Sequence, residues 1–122
     1  MASEEGQVII IRSVAQWEEL LRMATASKKL VVVDFTASWC GPCRLIAPVL
    51  AEIAKKMPHV IFLKVDVDDQ KSIAEDYGVE AMPTFIFMKE GTIVDKMVGA
   101  NKDGLQATID KHAGPVPVTA AA

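Results

Sequence analysis

Cys40 and Cys43 are the only cysteines in this 122-residue chain, and they flank Gly41 and Pro42. On the first turn of a helix that spacing puts two side chains on one face, close enough for a small, reversible disulfide ring. The same turn carries unpaired N–H groups and the positive end of the helix dipole, and both stabilise a thiolate, the form of sulfur that attacks a disulfide. Position therefore makes Cys40 the attacking sulfur and Cys43, one turn deeper, the resolving one. Exchange would pass through a mixed disulfide between Cys40 and a substrate, which Cys43 then breaks, leaving a Cys40–Cys43 disulfide and a reduced substrate. Gly41 gives a partner chain close access, and Pro42 fixes φ where no donor is wasted. An uncharged pair between the sulfurs favours a reductant over an oxidant, so both residues tune the potential.

Asp34 lies six residues before Cys40 in an apolar run. Burial there would raise its pKa, and a carboxyl titrating near neutrality could take the proton from Cys43 as it attacks; the plainer alternative is an exposed strand residue. Trp39 abuts the reactive turn and is expected to line the site. Other chemistries fit poorly. Zinc needs about four ligands, and the cysteines are joined only by His59 and His112, which are far apart and lack paired spacing. A purely structural disulfide across so short a loop would remove little unfolded-state entropy. Asp66, Asp68 and Asp69 suggest calcium, but Lys71 and Tyr77 stand where a calcium loop needs glycine and glutamate, so helix capping is expected of them and no metal. Both histidines read as surface residues, and Met23, Met57 and Met97 as core or core-edge packing.

These residues need elements to position them. The run from Leu30 to Thr36 is too continuously apolar for a half-exposed strand and predicts a central strand covered on both faces. After it, Ile46, Val49, Leu50, Ile53, Ala54 and Met57 recur at helical spacing, with Pro48 inside the helix and Pro58 ending it. Upstream, Val8 to Arg12 predicts a strand; Ser13-Val14-Ala15-Gln16 has the form of a capping box ahead of Trp17, Leu20, Leu21 and Ala24. Downstream come a strand at Val60 to Val65, a short helix ending at Tyr77-Gly78, a hairpin about Lys89-Glu90-Gly91, and a last amphipathic helix marked by Leu105, Ile109 and His112. The order is βαβαβαββα, an α/β layered domain on a mixed sheet.

A chain that is 51% hydrophobic and 24% charged fills one core and solvates its surface. One domain over residues 1–113 is expected, with 114–122, rich in proline and small residues, as a flexible tail. The net charge of −3 offers no broad positive field, which argues against nucleic acid and anionic membrane as partners. No apolar run approaches the roughly 20 residues that span a bilayer, and the acidic start Met1-Ala2-Ser3-Glu4-Glu5 is unlike a secretory signal. A cytoplasmic protein is expected.

Four blocks occur in order: Val33-Asp34-Phe35-Thr36-Ala37-Ser38-Trp39-Cys40-Gly41-Pro42-Cys43, Phe62-Leu63-Lys64-Val65-Asp66, Ala81-Met82-Pro83-Thr84-Phe85 and Val98-Gly99-Ala100. Together they closely resemble the thioredoxin family, from about Val8 to His112. The lead-in Phe35-Thr36-Ala37-Ser38 and the start Ala2-Ser3-Glu4-Glu5-Gly6 look like its plant h-type group, which is mainly cytosolic. The resemblance implies the thioredoxin fold, a central five-stranded mixed β-sheet flanked by four α-helices. It implies a protein-disulfide reductase with no bound cofactor, fed with electrons from NADPH through a thioredoxin reductase, and acting as a monomer on disulfide-containing target proteins. It places Lys64 on the strand beside Asp34 as a charge partner, and makes Met82-Pro83 a cis-proline turn whose backbone faces Cys40 and pairs with an extended substrate. Trp39, Gly41, Pro42, Met82, Val98, Gly99 and Ala100 become an apolar rim for docking. Two departures stand out: the N-terminal cysteine of many h-type members is missing, and Thr36 stands where bacterial relatives carry tryptophan. The alternative is a redox-switched binding or chaperone module of the same fold.

Overall fold

A computed structural model describes residues 5–114. Along the chain run β1 (Val8–Ile10), α1 (Val14–Ser27), β2 (Val31–Thr36), α2 (Gly41–Lys56), β3 (Ile61–Asp66), α3 (Lys71–Asp76), β4 (Thr84–Lys89), β5 (Thr92–Val98) and α4 (Lys102–Ala113). The strands form one sheet in the order β1-β3-β2-β4-β5, with β2 at its centre. β2 runs parallel to β3 and antiparallel to β4, so the sheet is mixed. Of the tail expected over 114–122, residues 115–122 lie outside the described residues.

Local chemistry sets the boundaries. Ser13 caps α1, its hydroxyl accepting the Gln16 N–H at 3.1 Å. The Gln16 carboxamide reaches back to the N–H of Arg12 rather than of Ser13, one residue earlier than a capping box requires. α2 runs unbroken through Pro48 and ends before Pro58. Glu90 and Gly91, with φ of 51° and 80°, join β4 to β5 in a two-residue turn that needs positive φ at both positions.

Because side chains alternate across a strand, β2 feeds two cores. Val31, Val33 and Phe35 face the layer of α1 and α3, packing with Trp17, Leu63, Ile73 and Ile86. There the rings of Trp17 and Tyr77 meet edge-on at 5.6 Å. Val32 faces α2 and α4, packing with Leu50, Ile53, Phe62, Phe87, Leu105 and Ile109. Asp34 shares the parity of Val32, so its side chain points toward α2.

Three expectations need correction. Met23 is 56% exposed on the outer side of α1, not core, whereas Met57 and Met97 do pack against the α2 core. His112 is no free surface residue: its ring pairs with the Asp95 carboxylate at 2.9 Å and lies over Phe87, because α4 crosses β5 there. His59 buries both ring nitrogens without a hydrogen-bond partner among the described residues.

Candidate active site

The cysteine pair sits where β2 hands over to α2. Cys40 is the N-cap of α2, with extended backbone, and its Sγ accepts the Cys43 N–H at 3.2 Å. One of the helix's unpaired donors is thus spent on the first sulfur, an arrangement that favours negative charge there. The two cysteines are joined in a disulfide, with Cα atoms 5.3 Å apart. Both are buried, and Ala37, Val67 and Met82 pack around them.

Two further segments converge on the pair. The Met82–Pro83 peptide is cis, as the resemblance implied, and the Met82 carbonyl oxygen lies 3.5 Å from Cys40 Sγ. Pro83 is buried and Met82 half-buried, so Met82 is the one a partner can meet. Gly99, at φ 107°, donates its N–H to the Pro83 carbonyl at 2.9 Å; a side chain there would strain the backbone. Val98 is 57% exposed at the end of β5, paired in register with Thr84, and Ala100 is exposed after it. Gly41 and Pro42 are exposed on the first turn of α2.

Trp39 projects from the rim, 64% exposed, with its indole Nε1 donating to Asp68 Oδ2 at 3.0 Å. Asp68 is a residue that sequence reasoning missed. Its own N–H and that of Asp69 donate to Asp66 Oδ1. The three acids therefore build a turn instead of capping a helix; the N-cap of α3 is Gln70, which makes no side-chain cap bond.

Asp34 is 1% exposed and its Oδ1 has no hydrogen-bond partner among the described residues. Burial raises its pKa from 3.8 to about 6, and the nearby Lys64 charge lowers it too weakly to offset that. Lys64 stands directly across β3 in register with Asp34. Lys64 and Cys43 also line a common cleft of about 200 Å³ with Thr36, Arg44 and Asp66. Among the described residues no group of three or more acidic, histidine or cysteine side chains is placed to hold a metal ion. Nor is any helix there long and apolar enough to cross a membrane.

Comparison with known proteins bears directly on this geometry. A family model described as thioredoxin matches residues 8–111. The chain belongs to the thioredoxin family. Thioredoxin H-type 1 of Nicotiana tabacum is 63% identical over 119 residues, covering 98% of this chain and 94% of that protein. Thioredoxin H1 of Arabidopsis thaliana is 65% identical over 112 residues, covering 92% and 98%. Among solved structures, thioredoxin NaTrxh from Nicotiana alata superposes with a TM-score of 0.86 at 42% identity, over 93% of this chain and 98% of that one. The plant h-type resemblance and the thioredoxin fold both hold. Thioredoxins are protein-disulfide oxidoreductases, and the Cys40–Cys43 pair at disulfide distance fits dithiol–disulfide exchange.

Proposed function

We propose that the chain reduces disulfides of target proteins with Cys40 as nucleophile and Cys43 as resolving thiol. The Cys40 thiolate attacks one target sulfur, an S–S bond to Cys40 forms, and the other target sulfur leaves as a thiolate. Cys43 then attacks Cys40, closing the Cys40–Cys43 disulfide and releasing the second target sulfur; two electrons pass to the target. Asp34 takes the proton that Cys43 must lose, directly or through one water, a role supported by its burial on the α2 side of β2 and its pKa near 6. Lys64, across from it, limits the cost of that buried charge. Trp39, Met82, Pro83, Val98, Gly99 and Ala100 form or shape the docking rim, with Gly41 and Pro42 setting the potential.

The observation that carries this order of attack is the Cys43 N–H donating to Cys40 Sγ at the N-terminus of α2. The cycle closes when NADPH-dependent thioredoxin reductase returns two electrons to the oxidised pair. We place that electron transport in the cytosol, in line with the h-type group its relatives belong to, and take the protein to act as a monomer. Cys43→Ser tests the assignment: the variant is expected to accumulate mixed disulfides through Cys40 when mixed with oxidised insulin. A folded variant that traps nothing overturns it.

A further inference from the structure

Disulfide exchange requires a target protein to sit over Cys40, yet the rim around that sulfur is small. Specific protein interfaces engage roughly 20–30 residues a side and bury about 800 Å² per partner, so a docked target covers neighbouring surface as well. The apolar surface continues along α2. Leu45, 76% exposed, follows Pro42 by three residues, and Pro48 and Val49 follow Leu45 by three and four, spacings that share one side of a helix. Pro48 and Val49 open a groove of about 670 Å³ between α2 and α4, lined further along α2 by Ile53 and Met57 and on the α4 side by Lys102 and Gln106. Lys56 and Lys102 are balanced at its rim by Glu52, Asp103 and Asp110, so the groove has no strong field to select a charged ligand. The surface open to a ligand is thus chiefly apolar, and the exposed Leu45 bridges the stretch of α2 between it and Pro42 at the rim a target must cover.

We propose that this groove anchors target proteins, taking an aliphatic or aromatic side chain from the segment whose cysteine is bonded to Cys40. The inference rests on the redox assignment above and adds to it a second determinant of substrate choice. At 1.5 Å per residue, Val49 lies about 10 Å along α2 from Pro42, and Met57 about 22 Å. An extended chain, advancing about 3.3 Å per residue, covers those distances in about three to seven residues. Favoured targets therefore carry an apolar residue three to seven positions from the attacked cysteine.

Two synthetic peptide disulfides test this, alike except that one carries leucine five residues from its cysteine and the other serine. With dithiothreitol regenerating the protein, kcat/KM is expected to be about tenfold higher for the leucine peptide, the effect of burying one aliphatic side chain. Most of the difference should lie in KM. Leu45→Glu and Val49→Asn should each bring the ratio toward one. A ratio near one in the parent, or a ratio that survives both substitutions, overturns the anchoring role while leaving the dithiol chemistry intact. Failure to reduce either peptide overturns the redox assignment, and the anchor with it. A parent that sediments as a dimer broken by Leu45→Glu, with an unchanged ratio, gives the groove to a second copy and also overturns the proposal.

Discussion

The two faces of β2 solve opposite problems. Toward α1 and α3 it presents Val31, Val33 and Phe35, buried among Trp17, Leu63 and Ile86 with nothing polar to satisfy. Toward α2 it presents Val32 and then Asp34, a carboxyl with an unpartnered oxygen beneath a helix that starts with a buried disulfide. A strand under selection for stability alone would carry a valine at both positions, since burying an unpartnered polar group costs free energy. The first face holds the fold together; on the reading proposed above, the second gives up part of that stability for the proton transfer assigned to Asp34.

The sharpest break between the faces is Cys40→Ser, which should abolish disulfide reduction, measured as insulin precipitation, while leaving the melting temperature of the reduced protein almost unchanged. The mirror experiment is Phe35→Ala. It should destabilise the protein by about 3–5 kcal/mol in urea unfolding and leave the pH profile of the exchange rate where it was.

Asp34→Asn should act in the reverse sense. With the folded pKa near 6 and the ordinary value 3.8, the folded state holds a proton that the unfolded chain releases. Ionising Asp34 therefore erodes stability as pH rises through that window. By about pH 7 the cost is about 3 kcal/mol, and below about pH 4 it vanishes. The asparagine variant should be more stable than the parent at pH 7, equal to it at pH 4, and slower in exchange near neutrality. Equal melting at both pH values would remove Asp34 from the chemical face. The smallest expected effect is Asp68→Ala, which frees the Trp39 indole: protein-disulfide reduction should slow several-fold, with stability moving by less than about 0.5 kcal/mol.

Local patterns made much of this legible. The apolar run ending in Phe35-Thr36, the helical spacing from Ile46 to Met57 and the Glu90-Gly91 turn each encode their element within a few residues. The spacing of Cys40 and Cys43 points to their chemistry once it is joined to the strand-to-helix junction and the matched blocks around them. What stayed hidden depends on which distant segments meet. Asp68 belongs to Trp39 across 29 positions of sequence, and within the sequence it looks like one acid among three. His112 finds Asp95 only because α4 crosses β5. Met23 and Met57 look alike as sequence, yet α1 turns the first outward while α2 folds the second onto the core. The groove beside Val49 exists only once α2 and α4 lie side by side.

The two tryptophans are placed to report on different events. Trp17 is sealed against Tyr77 on the inner face of α1, so its emission is expected to follow global unfolding. Trp39 stands in solvent, tethered to Asp68 close to the sulfurs, so its emission is expected to respond to redox state and to a docked partner. Replacing either indole by phenylalanine would leave a single optical reporter, of the scaffold's integrity with Trp17 kept and of the sulfur site with Trp39 kept.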